Sequence, residues 1–84
     1  MTKDEEYTVM SLLERWAFGH PDKDRPFLVM MGRSFTPVEY YNHIRENSEF
    51  RNTLFNFLSE QSERAIEPDT PAQMIRRAIE ANVL

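Results

Sequence analysis

Eighty-four residues allow a single domain, 1–84. Ten Lys and Arg stand against fourteen Asp and Glu, a formal charge of −4, and an acidic chain is a poor match for nonspecific nucleic-acid binding driven by counterion release. Cysteine is absent, which excludes disulfides, thiolate metal sites and cysteine nucleophiles and fits a reducing, cytoplasmic setting.

A chain of this size buries only roughly 60–65% of its extended surface, so its core is thin and association is a common supplement. The acidic start MTKDEEYT lacks the basic head and apolar run of a signal peptide. The longest purely apolar run, Phe27–Met31, is far too short to span a membrane.

The first helix is expected over residues 4–19, where Val9, Leu12, Leu13 and Trp16 recur at i, i+3, i+4, i+7. Asp4, Glu5 and Glu6 sit at the positive end of its dipole, and Gly19 followed by Pro21 marks its stop. Residues 20–26, HPDKDRP, read as a polar loop. The run Phe27–Met31 is expected as an extended apolar segment lying across the helices, with at most a bridge or two of β pairing. Gly32–Arg33 would then be the centre of a type II′ turn, with Gly first.

Five of the ten aromatic residues lie between Thr36 and Leu58. There the pattern predicts two helices, 37–46 and 49–66, with a break at Asn47–Ser48. Thr36, Pro37 and Glu39 form the signature of a capping box, and Ser48 is the expected cap of the second helix. The first of these helices presents Val38, Tyr41 and Ile44, with Tyr40 beside them. In the second, Phe50, Leu54, Phe57 and Leu58 form one apolar side, continued by Gln61 and Ala65. Residues 67–70 make a turn. Thr70, Pro71 and Gln73 repeat the box ahead of a last helix, 71–82, with Met74, Ile75, Ala78 and Ile79 on its inner side. The expected fold is mainly α: four helices around Trp16, Ile44, Leu54, Phe57, Leu58 and Ile79, plus the short extended segment.

Chemistry is sparse. His20, Asp22 and Asp24 resemble hard-metal ligands, but Arg25 and Pro26 follow where a calcium loop needs a further oxygen ligand and glycine, so a solvated turn is the reading. His43, mid-helix between Glu39 and Glu46, suits surface pairing or partial burial. No serine stands in a nucleophile elbow, and two glycines cannot build a phosphate cradle. The chain is therefore read as having no enzymatic activity, no metal and no cofactor.

Two function classes compete. A nucleic-acid regulator could use the helix pair 37–46/49–66, offering Arg51, Asn52 and Asn56 to a groove. That second helix, however, sets Glu49, Glu60 and Glu63 against Arg51 and Arg64, and its turn lacks glycine. A cytoplasmic protein–protein interaction or adaptor module, self-associating as a homodimer, is the preferred expectation, because aromatics, Met and Arg are enriched at interface cores. Tyr40, Phe55, Met30 and Arg33 are the candidate partner-binding residues, with Phe55 expected to point away from the apolar side of its helix.

Overall fold

Three of the four helices begin on a threonine. Thr2 opens α1 (Lys3–Gly19), its hydroxyl accepting from the Glu5 N–H at 3.1 Å. Thr36 opens α2 (Pro37–Glu46) and Thr70 opens α4 (Pro71–Glu80), each as a complete capping box with Pro in the first turn. The Glu39 N–H donates to the Thr36 hydroxyl at 3.1 Å and the Thr36 N–H to Glu39 Oε1 at 3.0 Å; Gln73 and Thr70 repeat the exchange at 3.2 and 2.9 Å. Two otherwise orphaned N–H groups are satisfied at each start. Bonds from Thr36, its backbone first and then its side chain, hold the Glu39 carboxyl below the usual glutamate range. A depressed carboxylate contributes above its unfolded pKa and is lost as pH falls through the folded one.

The computed structural model describes residues 1–64 and 69–81. Between α1 and α2 lies a two-stranded antiparallel hairpin, β1 (Leu28–Met30) and β2 (Arg33–Phe35), and α3 (Ser48–Arg64) precedes α4. The protein is thus a mainly α four-helix domain with a short hairpin. Expected positions 65–68 and 82, including Ala65 and half of the 67–70 turn, lie outside the described residues. α1 packs on α2 and α4, and α3 packs on the same two, so the helices form a closed ring with α1 and α3 diagonal.

Inside the ring, α1 contributes Val9, Leu13, Trp16 and Ala17; α2 Tyr41 and Ile44; α3 Phe55 and Leu58; α4 Ile75. Leu12, Val38, Leu54, Met74 and Ile79 pack around that centre, half-buried. α1 ends at His20, whose extended backbone leads into Pro21; Gly19 is still helical. Asn47 joins α2 to α3. Its N–H donates to the His43 carbonyl, and its Oδ1 accepts from the Phe50 N–H at 2.9 Å. Asn47 therefore caps α3, a role expected of Ser48. At the far end of α3 the Ser62 hydroxyl donates to the Asp69 carbonyl, and the Asp69 carboxylate pairs with Arg77, tying the start of α4 to α3.

Two further expectations are overturned. On the expected side of α3, Phe50, Leu54, Phe57 and Leu58 continued by Gln61, Leu58 is buried and Phe50 and Leu54 pack half-buried on the core. Phe57, however, points outward and Phe55 inward, so the inner face centres on Arg51–Phe55–Leu58–Ser62. Phe55 is 6% exposed and in the core, while Phe57 is 55% exposed. The polar ends of the true line have partners: Arg51 Nη1 donates to the Arg45 carbonyl at 2.7 Å, and Ser62 reaches Asp69. An apolar count cannot register residues that bury a stem or a small hydroxyl while bonding at the tip.

The second correction is the hairpin turn. Leu28 pairs with Phe35, Val29 with Ser34 and Met30 with Arg33, so the turn residues are Met31 and Gly32. Both have positive φ, 55° and 71°, as in a type I′ turn, rather than the II′ turn expected at Gly32–Arg33. Left-handed backbone disfavours methionine by about 1–2 kcal/mol. Phe35, fully buried, explains why this register holds: burying a phenylalanine is worth about 1.5–3 kcal/mol.

These assignments have measurable consequences. Phe55→Ala should cost about 3–5 kcal/mol in urea melts, whereas Phe57→Ala should stay within about 0.5 kcal/mol; the opposite ranking would restore the face first expected. Met31→Asn should raise stability by roughly 0.5–1 kcal/mol in dilute solution, since Asn-Gly suits the turn and the methionine is exposed. A loss of stability would show that the turn is not left-handed at 31.

Candidate functional site

The hairpin is held to the helices by aromatic edges. Trp16 of α1 meets Phe27 at 5.4 Å and 72° between ring planes, and Tyr40 of α2 at 6.1 Å and 88°. Phe27 and Tyr40 touch each other at 5.9 Å, closing a triangle of edge-to-face contacts. Each such pair is worth about 0.5–1.5 kcal/mol beyond its buried area. A second row runs from the other strand: Phe35 against His43 at 5.4 Å, His43 against Phe50 of α3 at 4.8 Å, and Phe50 against Tyr40 at 6.3 Å. The Phe27 N–H also donates to the Phe35 carbonyl at 2.9 Å, below the paired register.

What this anchoring leaves bare is the outer part of β1. Val29 is the middle residue of β1, with Phe27 just before the strand and Met31 in the turn beyond it. Phe27, at the base, is 42% exposed despite its contacts; beyond it Val29 is 74% and Met31 67% exposed. No charged side chain interrupts residues 27–32. The result is a rigidly backed strand carrying uncovered apolar side chains.

The residues expected at a partner surface fall in different places. Arg33 and Met30 face each other across the hairpin, with Met30 half-buried and Arg33 exposed. The Arg33 guanidinium lies 4.4 Å from the centre of the Phe35 ring, a cation–π contact. Tyr40 backs the hairpin through Phe27 rather than facing outward, and burial pushes its phenol above the usual tyrosine range. Phe55 is in the core, so its expected place on an outer surface is wrong. Val29 and Met31 were not singled out as an exposed pair. The signal available was the two-residue period within Phe27–Met31, which becomes informative only once the run is known to be a strand.

Elsewhere, a groove of about 430 Å³ opens among α1, α2 and α3, lined by Lys3, Tyr7, Glu14, Arg45, Arg51 and Phe55 among others. Much of its polar lining is engaged within the protein. The Tyr41 hydroxyl donates to Glu14 Oε2 at 3.0 Å; burial first, and then this bond, raise the Tyr41 phenol, and Arg45 pairs with Glu46 at 3.1 Å. In the 20–26 loop, His20 Nδ1 accepts from the Asp22 N–H at 2.9 Å, which is turn chemistry. Among the described residues no three His, Asp or Glu side chains are grouped to hold a metal ion, and no helix is long and apolar enough to cross a membrane.

Comparisons with protein-family models, curated proteins and solved structures found no match.

One polar atom inside the aromatic row is anomalous. His43 Nε2 is buried, with no hydrogen-bond partner, on a ring held between Phe35 and Phe50. An unpaired buried polar atom costs about 1–3 kcal/mol. His43→Phe should therefore melt at or above the wild-type urea midpoint. A loss of more than about 1 kcal/mol would mean that the imidazole makes a stabilising hydrogen bond.

Proposed function

We propose that this protein is a small non-catalytic protein–protein interaction module, acting in the cytoplasm, whose contact surface is the outer side of the β1 hairpin. The observation that carries the reading is the exposure of Val29 on a strand, and of Met31 in its turn, fixed to the helices by Trp16, Tyr40 and Phe27. An isolated two-stranded ribbon is marginal in water. Here the aromatic triangle keeps the strand in place without covering its outer side chains. Methionine is an adaptable contact residue, and Met31 stands at the tip in a left-handed conformation that ordinary turn chemistry would give to Asn or Gly. The lack of cysteine suits a reducing compartment.

A nucleic-acid reading through α2 and α3 has less behind it. Arg51 is bonded to the Arg45 carbonyl, and the exposed side of α3 carries Glu49, Glu60 and Glu63 beside Asn52 and Asn56. Such a face repels phosphate more than it attracts it.

The test is capture from an extract of the native cell with the purified chain as bait. A Val29→Lys/Met31→Lys double variant should keep its helical circular dichroism and lose roughly tenfold or more of the specifically captured protein, a difference of about 1.4 kcal/mol or greater. Equal capture by both baits would remove the hairpin as the contact surface.

A further inference from the structure

Resting on that reading, we infer that the hairpin's occupant is a second copy of this chain, with the two β1 strands pairing antiparallel about a two-fold axis at Val29. The backbone sets the axis. In a hairpin closed by a two-residue turn the flanking residues exchange hydrogen bonds, so Met30/Arg33 and Leu28/Phe35 are bonded pairs and Val29/Ser34 is the unbonded pair between them. The Val29 N–H and C=O therefore point away from β2, to the outer edge of the sheet. An antiparallel pair centred on one residue requires that residue to give and accept both bonds with its own copy, and Val29 presents both groups.

Side chains agree with the same axis. Pairing on Val29 sets it opposite its counterpart, so the two exposed Val29 side chains meet and Leu28 stands across from Met30 of the second molecule. A free edge strand is ordinarily protected by a Lys, a Pro or an inward charge; residues 27–32 contain none of these. Each chain's charge of −4 would oppose association generally, but the meeting surface is uncharged. β2 lies against α2, whereas β1 makes no comparable contact with a helix among the described residues. The assembly stops at two chains and one four-stranded sheet, the closed two-fold solution.

The absence of cysteine makes the test direct. Wild-type protein should scatter light as twice the chain mass at high micromolar concentration. Val29→Lys should be monomeric with unchanged circular dichroism. Val29→Pro should be monomeric too, because it removes the outward N–H without removing a bond to β2. Val29→Cys should form a cross-linked dimer under mild oxidation many times faster than Ser34→Cys, since Cα atoms of a bonded pair lie about 5.5 Å apart, within disulfide range. A monomeric wild type, a dimeric Val29→Pro variant, or equal cross-linking at 29 and 34 would overturn the pairing. A monomer whose capture of other proteins still depends on Val29 would leave the module reading standing with a different occupant; a monomer without such capture would overturn both.

Discussion

The edge-to-face packing of Trp16 is the contact on which the rest of the arrangement depends. It is where three pieces of chain distant in sequence meet: α1 through the indole, α2 through Tyr40 and the hairpin through Phe27. Trp16 also belongs to the helical core with Leu13, Ala17, Ile44 and Leu58. A three-residue strand cannot persist on its own ladder bonds. Its persistence here is borrowed from a core that the helices would form in any case.

The helices themselves rest on local chemistry, and that is why they were legible from the residues alone. Thr36–Pro37 and Thr70–Pro71 fix two helix starts because a threonine cap, a proline with no N–H to lose and a returning Glu or Gln agree within four positions. The break at Asn47 was visible for the same reason, although the capping atom is Asn47 Oδ1 and not the neighbouring serine. Val9, Leu13 and Trp16 announced the inner face of α1 because no polar residue competes on that line.

What sequence could not decide were choices between nearly equivalent lines of residues. On α3 two lines of residues run side by side, and the difference between burying Phe55 and burying Phe57 lies in what Arg51 and Ser62 bond to on neighbouring elements. The hairpin register is a similar case. Local propensity asks for glycine first in the turn; the burial of Phe35 against His43 and under Arg33 sets a register that puts Met31 there instead. Long-range packing outweighs turn preference by a kcal/mol or so, a margin that cannot be judged before the fold is known. The candidate surface was obscured by the same ambiguity: Phe27–Met31 as an extended segment across the helices would be core, whereas in the hairpin Leu28 and Met30 are half-buried and Phe27, Val29 and Met31 exposed.

A fold that uses one side of β1 to hold itself together leaves the other side with unfilled backbone bonds and uncovered side chains. If that side pairs with its own copy, the Val29 amide alternates between a ladder bond and water according to concentration. Hydrogen exchange at that one amide is the most direct measurement. Protection of the Val29 N–H should rise steeply from dilute to concentrated solution, while the Met30 N–H, bonded within the hairpin, changes far less. A Val29 amide that exchanges as fast in concentrated as in dilute protein would contradict the pairing.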